Sequence, residues 1–472
     1  MSTDRAPSPP LSESDQRRLA DWDRRYVWHP FTQHALWNRV DPLIIIAGEG
    51  AYVIGADGRR YLDGHSSLWC NLHGHRRAEI DRAVADQLGR IAHSTQLGLA
   101  SPPAIELARR LIQIAPPGLA KVFYSDDGST SLEAACKIAF AYWRHRGVAG
   151  RDCFIALGGA YHGDTLGAVS VGGIDAFHRV YRPLLFETHF APPPHCYRCP
   201  LGLSRETCGM ACADELGKLL EQHAGRVAAV VIEPLVQCAG GIITSPPGYL
   251  RRVRELCDRH EVLLIADEVA TGFGRTGRMF ACEHEAVTPD LMCLSKGLTA
   301  GYLPLGATLA RQDIYDAFLG PIEAGRTFYH GHTFTGNPLA CAAALASLDV
   351  FERDATLEKL KPRIERLAGH LAALREAPHV GDVRQCGFIA GVELVRDPTT
   401  GEPFPAGWQV GAQVCARARE YGVILRPLGD VIVIFPPLIL SIEELDHLMT
   451  VVRRCIEEVA PSAAPAPSDG LE

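Results

Sequence analysis

Three short apolar runs each stop on one ionisable residue: "VAAVVIEP" reaches Glu233, "LLIADEV" reaches Asp267 and "DLMCLSKG" reaches Lys296. Apolar runs of this length with helical stretches between them read as parallel strands buried on both faces of an α/β sheet, whose ligands bind in the crevice beyond the strands' carboxyl ends. Glu233, Asp267 and Lys296 are therefore expected to face one crevice.

Strands and helices alternate from about residue 100 to 340, which predicts a large domain with a mostly parallel sheet. Residues 21–99 are aromatic and turn-rich, and "AYVIGADGRRYLDG" predicts two short strands around the Asp57-Gly58 turn. Residues 341–460 open with a helical stretch and then offer "GFIAGVELV", "GVILRPLG" and "VIVIFPPLIL" as strands, so both chain ends are expected to build a smaller α+β domain. Residues 1–20 and 461–472, rich in Pro, Ser and Ala, are expected to be disordered tails.

At 472 residues and 47% hydrophobic content, the chain can bury a large core. Its net charge of −8 comes from interspersed charges with no Lys/Arg-rich run, which argues against nucleic acid or an anionic membrane as partner. There is no apolar leader segment, and no run approaches the roughly 18 apolar residues of a membrane span, so a cytoplasmic location is expected. Fifteen cysteines, most of them scattered singly through apolar runs, read as reduced core packing.

"VFYSDDGSTSLEAACKIAFAYW" predicts a strand, a polar turn and a helix with Leu132, Ala135, Ala139, Phe140 and Trp143 on one face and a Thr130/Glu133 capping box at its start. Gly128 and Ser129, just before that helix, offer backbone N–H groups, a hydroxyl and the positive end of the helix dipole to a phosphate. Lys296, at the end of a buried run, presents a partly desolvated amine able to attack carbonyls. Singly, these are a connecting turn, a helix-capping Asp and a lysine that reaches water. Together at the strand ends of one sheet they are the parts that pyridoxal 5′-phosphate (PLP) requires: a phosphate cradle, a lysine for its aldehyde, and a carboxylate to keep its pyridine nitrogen protonated.

From about Tyr26 to Glu458 the chain resembles the class III (ω-type) aminotransferases of PLP fold type I. "LLIADEVATGFGRTGRMFACEHEAVTPDLMCLSKGL" is similar to that family's cofactor segment, which implies that Asp267 meets the pyridine nitrogen and Lys296 holds the aldehyde. "DDGSTSLEAACKIA" resembles its phosphate loop, implying phosphate contacts from Gly128 and Ser129. "YHGDTLGAVSVGG" resembles the segment whose Tyr, here Tyr161, stacks on the cofactor ring, and Glu233 joins the same site. "FYHGHTFTGNPLACAAAL" resembles the stretch in which a Thr, here Thr333 with His332 beside it, reaches the phosphate of the neighbouring subunit. A homodimer with its active site at the interface is thus implied, acting on a small-molecule amino donor and a keto acceptor.

Within the class, "YVWHPFTQHALW", "DGHSSLWCNLHGH" and "RPLGDVIVIFPPLIL" resemble the branch that aminates 8-amino-7-oxononanoate in biotin biosynthesis. The resemblance implies that Arg426 binds the acceptor's carboxylate through two parallel hydrogen bonds, that Trp69 and Tyr161 line its aliphatic chain, and that Gly331 leaves room for it. The amino donor is expected to be lysine or S-adenosylmethionine. Leu68 before Trp69, Phe31 and Val433 stand where S-adenosylmethionine users carry Trp, Tyr and Tyr, and each change removes an aromatic face or a hydroxyl, which favours lysine. Alternatives are another ω-amino acid aminotransferase of the class, acting on ornithine or 4-aminobutyrate, and a non-catalytic metal-binding scaffold. The latter would use residues 190–215, where Cys196, Cys199, Cys208 and Cys212 stand in C-x2-C-x8-C-x3-C spacing, suited either to zinc or an iron–sulfur cluster or to packed free thiols.

Overall fold

The computed structural model describes residues 9–463. Its centre is a seven-stranded sheet in the order Leu119–Ser125, Gly306–Arg311, Leu291–Leu294, Leu263–Asp267, Val227–Ile232, Cys153–Leu157, Thr188–Ala191. The five strands from Leu291–Leu294 to Thr188–Ala191 run parallel, while Gly306–Arg311 lies antiparallel to both its neighbours. Every residue of Val227–Ile232, Leu263–Asp267 and Leu291–Leu294 is buried, because helices cover both faces of the sheet and leave no face for polar side chains. The sheet is thus mixed α/β with a parallel core, and the three runs that end in charge lie side by side within it.

The helix after the first strand, Gly128–His145, starts earlier than its sequence suggests. Asp127 caps it, accepting from Thr130 N at 2.8 Å while Asp127 N donates to Thr130 Oγ1 at 2.9 Å. The capping box is therefore Asp127/Thr130 and not Thr130/Glu133, and Glu133 instead accepts from Thr165 Oγ1 at 2.7 Å. Gly128 and Ser129 become the first helical turn, whose N–H groups have no intrahelical acceptor. Leu132, Ala135 and Ala139 are buried against the sheet, but Phe140 is 38% exposed beneath the Arg144 guanidinium, since at 100° per residue it falls at the edge of the apolar stripe.

Besides a two-stranded ribbon of Val236–Gln237 and Ile243–Thr244, two four-stranded sheets flank this core. Strands Ile45–Glu49, Tyr52–Gly55 and Arg60–Asp63 form an antiparallel set around the Asp57-Gly58 turn, and Val423–Ile424 adds to it in parallel, so that both chain ends share one sheet. The second sheet orders Val380–Cys386, Ile389–Leu394, Val431–Ile434 and Arg426–Leu428. The run "GVILRPLG", read as one strand, is split: Val423–Ile424 pairs with Arg60–Asp63, and Arg426–Leu428 pairs with Val431–Ile434. The strand Val380–Cys386 went unread because its polar residues hide its alternation, and the helix Pro338–Arg353 runs across the boundary placed at 341.

The N-terminal expectation needs correction within the described residues. A helix spans Glu13–Tyr26, capped by Ser12, with acidic residues in its first turn and Arg24 and Arg25 in its last. Arg24 fastens it to Val40 O at 3.0 Å and Asp41 at 2.7 Å. Low apolar content suggested a tail, but the caps supply the order that composition does not show. Residues 1–8 and 464–472 lie outside the described residues. Among the described residues no helix is long and apolar enough to cross a membrane.

Candidate active site

Beyond the carboxyl ends of the parallel strands lies a cavity of about 300 Å³. Glu233, Asp267 and Lys296 all line it, as do Gly128, Ser129, Tyr161, Trp69 and Arg426. The sheet does the positioning: Val227–Ile232 delivers Glu233, Leu263–Asp267 ends on Asp267, and Lys296 follows Leu291–Leu294 by two residues.

Asp267 is 5% exposed and accepts from Val269 N at 3.0 Å. Its Oδ2 lies 2.7 Å from Nδ1 of His162, whose other ring nitrogen is buried without a partner. Burial alone would lower the pKa of His162, but the bond to Asp267 and its charge, with Glu233 nearby, raise it above its ordinary value. Glu233 is pushed up to about 7, first by burial, with the Asp267 charge adding to the effect and His162 and two backbone bonds opposing it. Those bonds come from Tyr161 N at 3.1 Å and Cys238 N at 2.8 Å. The Tyr161 hydroxyl donates to Asp164 at 2.5 Å, and burial with that carboxylate pushes the phenol pKa up.

The end of the cavity at the start of helix Gly128–His145 is tightly built. Ser129 Oγ accepts from Asp164 N at 3.1 Å. A Cβ on Gly163 would sit 1.9 Å from Ser129 Oγ, and one on Gly128 2.7 Å from Val269 Cγ1, so both positions take only glycine. Lys296 adopts φ 44°, and its Nζ lies 5.1 Å from the centroid of the Trp69 ring. Arg426 makes no ion pair and no side-chain hydrogen bond among the described residues, yet it lines the cavity. Phe31, Leu68 and Phe177 close the apolar side, with Phe31 edge-on to Phe177 at 5.2 Å and to Tyr161 at 6.3 Å.

These groups fit pyridoxal 5′-phosphate. A helix N-terminus stripped of side-chain bulk suits a phosphate, a buried carboxylate backed by a histidine suits a protonated ring nitrogen, and an amine stands at the next strand end. His162 was missed in the sequence, although its place directly after Tyr161 marked it. Gly331, His332 and Thr333 do not line the cavity: Thr333 is exposed, and His332 pairs with Asp126 at 3.1 Å. Val433 does not line it either, being buried in the cluster that backs Trp69. All fifteen cysteines are free, and Cys196, Cys199, Cys208 and Cys212 border one small hollow of about 20 Å³. Among the described residues no group of three or more His, Cys, Asp or Glu side chains is arranged to hold a metal ion. A larger hollow of about 1130 Å³, between the cysteine-rich segment and strand Val380–Cys386, contains none of the cofactor groups.

The chain belongs to the class-III aminotransferase family, whose profile matches residues 35–456, and is a PLP-dependent transferase. It is 59% identical over 452 residues to the adenosylmethionine-8-amino-7-oxononanoate aminotransferase of Geobacter sulfurreducens, covering 95% of this chain and 99% of that one. The crystal structure of the enzyme of that name from Methanocaldococcus jannaschii superposes with a TM-score of 0.90 at 44% identity, over 94% of this chain and all of the other. An ω-transaminase from Pseudomonas jessenii solved in complex with PMP gives a TM-score of 0.90 at 32% identity, over 95% and 100% of the two chains.

Proposed function

We propose that this aminotransferase converts 8-amino-7-oxononanoate to 7,8-diaminononanoate, the step in biotin biosynthesis that its relatives' names describe, and that it works in the cytoplasm. The observation that carries the reading is Arg426, a guanidinium without a carboxylate partner among the described residues, in a cavity walled by Phe31, Leu68, Trp69 and Phe177 and shared with Lys296. An acceptor with a carboxylate at one end, an aliphatic chain and a ketone matches that order of groups. Ornithine and 4-aminobutyrate are shorter and offer the apolar wall less.

Bound pyridoxal phosphate would act as an electron sink for the bond broken at the amino-bearing carbon. The chain's residues do the rest. The first-turn N–H groups of Gly128 and Ser129 would hold the phosphate, and Asp267, backed by His162, would keep the ring nitrogen protonated. Lys296 Nζ would hold the aldehyde and is placed to take and return the proton at the substrate carbon. Tyr161 would cover the ring, and Glu233 fixes Tyr161 by accepting from its backbone N–H.

Two chains complete the site in this reading. Gly331, His332 and Thr333 lie outside the cavity of their own chain, and Trp28, Leu97, Tyr329 and Phe334 leave apolar surface exposed that a second subunit would cover. Lysine is the favoured donor: Leu68 and Phe31 present no hydroxyl or indole to an adenine or a sulfonium. To test the function, the enzyme is loaded with an amino group and mixed with 8-amino-7-oxononanoate in a single turnover. Arg426→Ala should weaken acceptor binding by about 2–5 kcal/mol and change the donor half-reaction less; equal losses in both would refute the assignment of Arg426. Mixing the pyridoxal form with lysine or S-adenosylmethionine separates the donors, and conversion to the pyridoxamine form by S-adenosylmethionine alone would overturn lysine.

A further inference from the structure

Phe31 closes the apolar side of the cavity from a segment with no regular structure of its own. Residues 27–33 form neither helix nor strand, and Phe31 itself takes φ 49°, a left-handed conformation that a bulky side chain enters at a penalty. Its ring meets Phe177 and Tyr161 edge-on. A residue so placed stays there only where the chain on either side of it is fastened.

One carboxylate fastens both sides. Asp23, in the last turn of helix Glu13–Tyr26, accepts from His29 Nε2 at 2.9 Å on one oxygen and from Trp37 Nε1 at 2.8 Å on the other. His29 and Trp37 flank the segment, and their ring centroids lie 4.4 Å apart, so its two ends are drawn together beside the helix. His29 N adds a bond along the chain, donating to His34 Nε2 at 3.1 Å. The helix is anchored in turn: Leu11 N donates to Ala56 O at 2.8 Å and Gln16 Nε2 to the same carbonyl at 3.2 Å, which ties it to the strand-end before the Asp57-Gly58 turn. An unbroken path of hydrogen bonds and chain thus runs from the flanking sheet, through helix Glu13–Tyr26, to the cavity wall.

We propose that Asp23 is a positioning residue for the keto acceptor: by holding His29 and Trp37 it keeps Phe31 at the cavity and so maintains the apolar wall along which the acceptor's aliphatic chain lies. Asp23 does not itself line the cavity and acts through Phe31. The inference rests on the reading of this cavity as the acceptor site. When the segment is out of place for part of the time, apparent acceptor affinity falls by the fraction of molecules that remain competent. Gly128, Asp267 and Lys296 are delivered by the central sheet and do not depend on this latch. Loss of Asp23 therefore acts on acceptor KM and spares kcat.

The test uses the holoenzymes of wild type, Asp23→Ala, Trp37→Phe, Phe31→Ala and the double variant Asp23→Ala/Phe31→Ala. Amide hydrogen exchange across residues 28–37 should quicken about tenfold in Asp23→Ala and about threefold in Trp37→Phe, which loses only the indole N–H, while residues 291–296 and the bound cofactor content stay unchanged. Acceptor KM should rise about fivefold in Asp23→Ala with kcat within about twofold. In the Phe31→Ala background, where the wall is already gone, removing Asp23 should raise KM less than about twofold further. Trp37→Phe, alone and with Phe31→Ala, carries the same test at smaller size should Asp23→Ala fail to fold. Unchanged exchange across 28–37 in a folded Asp23→Ala overturns the proposal. So does a KM rise that multiplies in full with that of Phe31→Ala, or a fall of kcat with cofactor loss, which is what a merely structural aspartate would produce. If the wild type fails to aminate 8-amino-7-oxononanoate, the functional reading falls, and the exchange data still decide whether the latch exists.

Discussion

Lys296 and Asp267 illustrate how one residue can be read from its neighbours: each follows an all-apolar strand, and a charge at such a place needs a reason. Borohydride reduction of the cofactor-loaded enzyme should place the pyridoxyl label on Lys296, and Lys296→Ala should lower turnover by about 10²–10⁴-fold or more while retaining cofactor; a label on another peptide would refute the role. Glu233 carries a pH dependence. Its folded pKa is raised from 4.5 to about 7, chiefly by burial, so between those values the folded chain holds a proton that the unfolded chain has released. The stability due to its neutral carboxyl is fully present below about pH 4.5 and is lost as pH rises through 7. Glu233→Gln cannot ionise, so urea unfolding of the two proteins should show the advantage of wild type over variant shrinking by up to about 3 kcal/mol between pH 4 and pH 8. A constant difference across that range would show that Glu233 ionises normally. His162 was legible only in part: its position after Tyr161 was visible, but its 2.7 Å bond to Asp267 joins residues more than a hundred apart and depends on the sheet bringing them together.

At the scale of elements, the parallel strands were the most legible feature, because burial on both faces imposes a composition that no other element shares. Element ends were less so. The helix Gly128–His145 begins at Asp127 and not at Thr130 because Asp and Thr can both cap, and only the path of the preceding strand decides between them. A left-handed turn at Ser66–Trp69 had no signal at all, since glycine, the usual marker of positive φ, is absent from it. Where glycine does mark a demand, the demand is sharp. Gly163→Ala would push a methyl into Ser129 Oγ, displacing the hydroxyl at the phosphate cradle. Titration of the apoprotein with pyridoxal phosphate should therefore show affinity reduced on the order of tenfold or more, equivalent to about 1.4 kcal/mol. Unaltered affinity would mean that the phosphate lies elsewhere.

The whole molecule poses the question of which chain completes each site. If Thr333 serves the neighbouring subunit, a heterodimer of Lys296→Ala with Thr333→Val contains one site with both mutations and one with neither. Co-refolding equal amounts should then restore about a quarter of wild-type turnover, above the sum of the two parents. Activity no higher than that sum would place Thr333 in the site of its own chain. The sequence led to the expectation of a small domain built from both end regions but carried no sign of the pairing that joins them: Val423 pairs with Leu62, and Ile424 with Asp63. That pairing sets a schedule for the newborn chain. At about 5–20 residues per second, the ribosome needs roughly 20–70 s after making Leu62 before its neighbour strand exists. Throughout that interval one edge of an early hairpin stands open to any stray strand, a hazard that ends only when Val423–Ile424 has been made.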